Sequence, residues 1–360
     1  MYHDNKTYQR DLEEAVRLSL DFKCLYGKSF LITGASGLIA SFLIDLLFYA
    51  NKMMNAEIKV YALVRDRKYA EERYCSILRN PYFRLVVQDV CAPLTLENEV
   101  DYIIHAAGDG YPGAFRERPV ETMLPALTGT IQLLEYARRV KNIRILYLSS
   151  GEVYGAGNAE EFFESDSGYV DPMKSRSCYP SAKRAAETLC GSYFAEYGVD
   201  TVVIRPSHVY GPNTSRKDNR ASVQFFQDIL DGRDVTLKSE GKQRRSYTYM
   251  ADCVSALLTV LVRGRSGEAY NVSNPGAVAT IAQFAQITAS LGGQTCTLGK
   301  PQKTDIQEST PIAHAVLNSE KLHRLGWTGG YDVPRGIRHT LAILKDQQCK
   351  KIQDEMDDIR

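Results

Sequence analysis

Tyr179 and Lys183 stand four residues apart in the run YPSAK, and on a helix that spacing puts both side chains on one face. An ammonium beside a phenol, together with a positive nicotinamide, favours the phenolate and draws its pKa down from the usual ~10 toward the working pH. A phenolate so placed can take the proton of a substrate hydroxyl while a hydride leaves the same carbon. Ser150, at the end of a predicted strand, is placed to hydrogen-bond that hydroxyl. Such chemistry needs a hydride acceptor, and the run FLITGASGLIA at 30–40 offers it a seat. Gly34 and Gly37 follow a predicted strand and open a predicted helix. Glycine there permits a tight turn, lets the backbone approach a pyrophosphate and presents the helix N-terminus to it. Gly34, Ser36, Gly37, Leu38 and Ile39 are therefore candidate dinucleotide contacts, with Tyr179 and Lys183 at the nicotinamide end. The next strand ends in Val64-Arg65-Asp66. An acidic residue there suits the ribose hydroxyl of NAD, and an arginine suits the 2′-phosphate of NADP. Arg65 lies nearest the expected position and tilts the reading slightly to NADP; Asp66 keeps NAD open.

These groups need a frame, and the hydrophobic pattern supplies one. A short helix is predicted over 7–20. Compact apolar runs then alternate with amphipathic segments. Strands are predicted at Ser29–Thr33, Ile58–Val64, Leu85–Val87, Tyr102–His105, Ile143–Ser149 and Thr201–Arg205. Helices are predicted at Leu38–Ala50, Asp66–Leu78, Glu117–Val140 and Pro180–Tyr197. Alternation of this kind implies an α/β fold with right-handed crossovers, a Rossmann-type doubly wound parallel sheet. After about residue 210 the pattern loosens. A helix at Ser222–Asp231, a polar stretch at Ser239–Tyr247, a helix at Asp252–Val262 and a late strand at Ala269–Val272 follow. The expected organisation is an N-terminal helical extension over 1–26 and a dinucleotide-binding domain over 27–210, to which 245–275 return. A smaller C-terminal substrate-binding lobe comprises 211–244 and 276–360.

The 360 residues are enough to bury a sizeable core, and 44% hydrophobic with 24% charged is ordinary for a globular protein. A net charge of +1 gives no general reason to bind nucleic acid or an anionic membrane. The eight cysteines show no CxxC spacing, which argues against a metal site or a secreted disulfide framework and for a reducing, cytoplasmic setting. The N-terminal residues are too charged for a signal peptide, and the apolar run Leu38–Ala50 is short and contains Asp45. It reads as a buried helix, not a membrane span.

Taken together, TGASGLIA (33–40), QDV (88–90), HAAG (105–108), LSSGEVYG (148–155), YPSAK (179–183), RPSHVYGPN (205–213), RRSYTYMADC (244–253) and YNVSNPG (270–276) carry a resemblance. The chain is similar, over roughly 27–345, to the extended short-chain dehydrogenases/reductases that act as nucleotide-sugar epimerases, dehydratases and decarboxylases. That resemblance implies a tightly bound, recycled nicotinamide cofactor and a nucleotide-diphosphate sugar as substrate. Asp89 and Val90 would lie at the adenine, and Ala106 and Ala107 would line the dinucleotide cleft. Ser150, Tyr179 and Lys183 would form the catalytic trio, with Glu152 beside them. Arg220 and Arg245 would face the diphosphate, whose oxygens guanidinium binds bidentately. His208 stands where the family has a substrate-contacting asparagine. The helices at 117–140 and 180–197 correspond to the pair through which relatives form dimers.

The family's shared first step would be oxidation at C4 of the hexose, after which the outcomes diverge. A 4-epimerase needs no carboxylate beside C5. A 4,6-dehydratase needs a base at C5 and an acid at the C6 hydroxyl, and similar dehydratases carry Asp-Glu before the VYG segment. A decarboxylase needs no acid for a leaving hydroxyl, and similar decarboxylases and GDP-mannose dehydratases carry Ser-Glu there. This chain has Gly151-Glu152, and its AAGDGYPGAFRERPVET segment (106–122) matches the decarboxylase pattern in length and in its PVET ending. The expectation is a UDP-glucuronate decarboxylase-like enzyme, with dehydratase or epimerase as the alternative. An NADP-dependent ketone or aldehyde reductase and a non-catalytic dinucleotide-binding protein are the rivals from other classes.

Overall fold

The computed structural model describes residues 2–96, 99–157, 159–214, 218–299 and 314–358. Its strands are β1 Ser29–Thr33, β2 Lys59–Val64, β3 Phe83–Val87, β4 Tyr102–His105, β5 Arg144–Leu148, β6 Asp200–Pro206, β7 His208–Tyr210, β8 Val235–Leu237, β9 Arg244–Tyr249, β10 Ala269–Val272, β11 Val278–Thr280, β12 Cys296–Leu298 and β13 His314–Ala315. Its helices are α1 Lys6–Leu18, α2 Leu38–Met54, α3 Arg67–Arg73, α4 Pro112–Glu117, α5 Pro119–Leu124, α6 Thr130–Val140, α7 Cys178–Tyr197, α8 Ala221–Leu230, α9 Met250–Arg263, α10 Ile281–Gly292, α11 Glu320–His323 and α12 Val333–Asp358.

Seven strands form one parallel sheet in the order β10-β6-β5-β4-β1-β2-β3. The order reverses between β1 and β4, where Ile32 registers with Ala62 on one side and Ile104 on the other. Such a reversal opens a crevice at the carboxyl ends of the strands. The central strands are covered on both faces, which is why their sequences read as near-continuous apolar runs. The late strand Ala269–Val272 joins this sheet beside β6.

Two expected helices are shorter or broken. The helix expected over 117–140 divides at its prolines: α4, α5, a π-helical turn at Pro125–Gly129, and α6. Pro119 and Pro125 each lack the N–H that a continuous helix requires, so each opens a new segment. Gly129 then lets the π turn press on the sheet edge, since a Cβ there would lie 2.9 Å from Val90 Cγ1. The helix expected over 66–78 is regular only at Arg67–Arg73.

The short strands of the second half were not expected. β7, β9, β11 and β13 form a four-stranded sheet, and β8 pairs with β12. The polar stretch before Tyr247 becomes β9 because Tyr247 registers with His208 and Ser246 with Val278. Those partners are distant in sequence, so no local periodicity announces the strand.

The N-terminal helix is packed into the main core through Tyr8, Leu12 and Ala15. Its buried Asp11 accepts hydrogen bonds from Tyr249 Oη at 2.6 Å and Tyr331 Oη at 2.9 Å, and lies 2.6 Å from His339 Nδ1. Tyr8 Oη donates to Asp45 on α2 at 2.6 Å, and Arg73 on α3 pairs with the same carboxylate at 2.5 Å. These contacts tie α2, whose first turn faces the crevice, to the two helices flanking it.

Candidate active site

One cavity of about 1240 Å³ runs along the carboxyl edge of the sheet into the second lobe. All the sequence-expected site residues line it: Gly34, Ser36, Gly37, Leu38, Ile39, Arg65, Asp89, Val90, Ala106, Ala107, Ser150, Glu152, Tyr179, Lys183, His208, Arg220 and Arg245.

The glycine turn at one end fits a dinucleotide. Gly34 adopts φ +62°, and a Cβ there would sit 2.6 Å from Ala106 O and 2.7 Å from Ala107 Cα. Only glycine lets β1 turn against the end of β4. Gly37 is the N-cap of α2 and no side chain caps that helix, so its first-turn amides face the cavity as a ready anion site. Further out, Asp66 caps α3 by accepting from Tyr69 N at 3.0 Å, and Arg65 is exposed at the rim. Asp89 is exposed and accepts from Cys91 N at 2.9 Å, while Val90 is buried.

The middle of the cavity holds the acid–base groups. Lys183 is 6% exposed, donates to Leu148 O at 2.7 Å and lies over the rings of Tyr147 and Tyr179 at 4.8 and 5.7 Å. Burial lowers its pKa to about 8 against the pull of Glu187, one helical turn on. Tyr179 stacks on Phe115 with ring centroids 4.5 Å apart. Burial pushes its phenol up to about 12, opposed by the hydrogen bond with Ser150 and by the guanidinium groups of Arg220 and Arg176. Among the protein's own groups, desolvation thus outweighs the nearby cations.

Glu152 lies on the short helical turn after β5 and forms a bidentate ion pair with Arg176, both contacts 3.0 Å. Arg176 also packs over Phe115 at 4.9 Å. Gly151 beside it is filled from across the chain, since a Cβ there would meet Leu317 Cδ1 at 3.1 Å.

The far end carries the charged groups of the second lobe. Arg220 is engaged: Asp218 holds it through several contacts, the shortest 2.6 Å, and its Nη1 donates to Val209 O at 2.9 Å. Arg245 has no carboxylate partner among the described residues, and its Nε is buried without a hydrogen bond. Burial lowers its pKa, while Tyr247 and Glu152 oppose that. His208 is held well below its ordinary pKa by burial and by Arg220 and Arg245.

Sequence reasoning missed four partners. Arg176, which precedes Tyr179 by three residues, had no motif to mark it. Glu187 carries a spacing signal, four residues after Lys183; it pairs with Arg205 at 2.6 Å and accepts from Ser149 Oγ. Asp218 precedes Arg220 by two residues and was legible as a local ion pair. Leu317 has no local signal at all.

The comparisons with known proteins follow this geometry. The chain is 31% identical over 324 residues to UDP-glucuronic acid decarboxylase 1 of Xenopus tropicalis, covering 89% of this chain and 73% of that protein. It is 34% identical over 263 residues to UDP-glucuronic acid decarboxylase 6 of Arabidopsis thaliana, covering 72% and 73%. Among solved structures, a dTDP-glucose 4,6-dehydratase from Streptomyces venezuelae with NAD bound superposes with a TM-score of 0.75 at 22% identity, over 89% of this chain and 98% of that one. A UDP-glucuronic acid 4-epimerase from Bacillus cereus, in complex with UDP-glucuronic acid and NAD, gives 0.74 at 20%, over 89% and 99%. The pattern described as the NAD dependent epimerase/dehydratase family matches residues 30–273, and the chain belongs to that family.

Proposed function

We propose that this protein is a nucleotide-sugar enzyme of UDP-glucuronate decarboxylase type. The observation that carries the reading is the set of groups gathered in one cavity: the Gly34–Gly37 turn, Tyr179 with Lys183 and Ser150, Glu152, and Arg245 with its buried, unbonded Nε. A simple carbonyl reductase has no use for an unpaired buried guanidinium beyond the acid–base pair. A diphosphate does, because it neutralises that charge bidentately.

A dinucleotide held by its pyrophosphate at the glycine turn would place its nicotinamide, a reversible hydride acceptor, at the Tyr179 and Lys183 end. The chain's own residues manage protons and position. Tyr179 Oη takes the proton of the sugar C4 hydroxyl, Ser150 Oγ orients that hydroxyl, and Lys183 stabilises the phenolate. Arg245 holds the diphosphate; Arg220, already committed to Asp218, steadies the wall beside it. Glu152, fixed by Arg176, lies at the C5–C6 side. The choice among reactions turns on position 151. A dehydratase of the Asp-Glu type has an acid there for the departing hydroxyl, whereas this chain has Gly151, where a Cβ would meet Leu317 Cδ1 at 3.1 Å. A C6 carboxylate beside a C4 ketone leaves as carbon dioxide without such an acid.

The relatives named above with NAD support NAD as the cofactor, and nothing in them supports the tilt to NADP that Arg65 suggested. A homodimer belongs to the same proposal, as does a cytoplasmic setting, for which the eight unpaired cysteines speak. Among the described residues no helix is long and apolar enough to cross a membrane.

Incubation with UDP-glucuronate, UDP-glucose, dTDP-glucose and GDP-mannose, followed by mass spectrometry, tests the reading. Loss of carbon dioxide from UDP-glucuronate is the expected result. Loss of water would establish a dehydratase, and an unchanged mass with an altered sugar spectrum an epimerase. Replacement of Tyr179 by Phe is expected to lower turnover by about 10²–10⁴-fold with the fold intact by circular dichroism; a retained rate would remove Tyr179 from the acid–base role.

A further inference from the structure

His208 is where this chain departs from the asparagine of the proteins it resembles, and its surroundings are specific. It lies on β7 in register with Tyr247 on β9, and the two rings meet edge to face at 5.3 Å. Arg245 precedes Tyr247 by two residues and so shares its face of the strand. From the other side α8 begins: Arg220 is its N-cap, and Ser222 Oγ in its first turn lies 3.3 Å from His208 Nε2. His208 Nε2 thus has a partner. The ring itself lines the cavity.

We propose that His208 takes up a proton when a nucleotide diphosphate binds, and that the imidazolium so formed becomes a further cation of the diphosphate site. The proposal rests on the nucleotide-sugar reading above and adds to it a linked proton.

The electrostatics run as follows from the neighbours. Among the described residues, the charged groups facing His208 are Arg245 from β9 and Arg220 from the head of α8, the latter offset by Asp218. Glu152 acts on Arg245 from the other side. The uncapped N-terminus of α8 adds a further positive end. With two guanidinium groups and a helix N-terminus around a buried ring, the neutral imidazole is favoured, which agrees with its lowered pKa. A bound diphosphate brings two negative charges among these groups and reverses the balance. The imidazole then gains a proton from solvent. Between the low pKa of the free protein and the raised pKa of the complex, binding consumes a proton. Affinity therefore falls as pH rises through that window, by at most about tenfold per unit. An asparagine at this position carries no proton and gives no such dependence.

The test uses the holoprotein and UDP-glucose, whose phosphates stay ionised near neutrality and which has no carboxylate to lose. Binding enthalpies measured by calorimetry at about pH 7, in buffers of different ionisation enthalpy, give the number of protons taken up. The wild type is expected to take up a substantial fraction of one proton, and His208→Asn close to none. A buffer-independent enthalpy in the wild type, or equal uptake in both proteins, overturns the proposal. A second measurement needs only the wild type. The His208 Cε1–H resonance, assigned through its contact with the Tyr247 ring, should move to the imidazolium position as UDP-glucose is added; an unmoved resonance in the bound protein overturns the proposal. Absence of binding by UDP-glucose and by UDP-glucuronate, dTDP-glucose and GDP-mannose alike would remove the nucleotide-sugar reading and this inference with it, whereas binding without proton uptake removes this inference alone.

Discussion

Lys183 shows what a functional residue costs its fold. Its ammonium is buried at 6% exposure with a single backbone acceptor, Leu148 O, at 2.7 Å. Burial holds its pKa at about 8, whereas an unfolded chain would keep the proton to about 10.4. Between those values the unfolded state binds the proton and the folded state has released it. Stability should therefore rise as pH goes from about 8 to about 10 and bear the full penalty, about 3 kcal/mol, below that window. Replacing Lys183 with Met removes the penalty and forfeits a hydrogen bond worth about 1 kcal/mol. The variant should be more stable than wild type at neutral pH by about 1–2 kcal/mol, lack the pH-dependent rise, and lose turnover. Denaturant unfolding at a series of pH values decides it, and a variant less stable than wild type at neutral pH refutes the account. Tyr179 and Lys183 were legible because their relation is local, four residues on one helix. Their titration behaviour was not legible, since it depends on burial by Phe115 and Tyr147, which no spacing in the YPSAK run reports. Leu317 against Gly151 shows the same limit: 166 positions separate them in the numbering, and only the folded chain brings them together.

At the scale of elements, the turn between β1 and α2 carries the cofactor end of the cavity, and its geometry leaves no room for a side chain. Gly34→Ala would place a Cβ at φ +62°, 2.6 Å from Ala106 O. The left-handed conformation costs an L-residue roughly 1–2 kcal/mol, and the clash must be relieved by moving β1 away from β4 or by tilting the turn. Either shift displaces the first-turn amides of α2. NADH affinity should fall by about tenfold or more, as read by fluorescence titration, with far-ultraviolet circular dichroism unchanged. An unaltered affinity would mean that the close approach is dispensable. The main-sheet strands and this turn were readable from sequence because buried parallel strands are continuous apolar runs and the glycines interrupt them at a fixed place. In the second lobe the helix expected at Ser222–Asp231 was readable, and the strands were not. β7 and β11 are three residues each and β9 reads as polar, and they exist through pairings such as His208 with Tyr247 and Val278 with Ser246. The long helix expected over 117–140 failed for a local reason that the sequence did contain, the prolines at 119 and 125.

The molecule as a whole is held by ties between distant parts of the chain, and three of its helices leave apolar side chains exposed. Asp11 is fully buried and joins α1 to β9 through Tyr249, to the approach of α12 through Tyr331, and to α12 itself through His339. Asp11→Ala strands the buried Tyr249 hydroxyl and takes one partner from Tyr331, which keeps Glu14, and from the half-buried His339, and should cost about 1–3 kcal/mol; a loss below about 1 kcal/mol by chemical denaturation would show that the N-terminal helix is a loose appendage. On the opposite face, α5 and α6 leave Val120, Leu124 and Ile131 exposed, and α7, packed beside them, leaves Phe194 and Tyr197 exposed. A stable pairing needs about 800 Å² from each partner. Two helices presented side by side can meet their own copies about a two-fold axis, each patch contacting itself without a second complementary surface. The resulting four-helix seam would bury these side chains while leaving the cavity mouth, on the carboxyl edge of the sheet, free for substrate. Sedimentation of the wild type should therefore give a dimer across micromolar concentrations. Val120→Glu with Leu124→Glu places carboxylates against each other across the axis, where like charges oppose association, and should give a monomer. A wild-type protein that sediments as a monomer at every concentration would rule out this seam, and a double variant that remains dimeric would move the interface elsewhere.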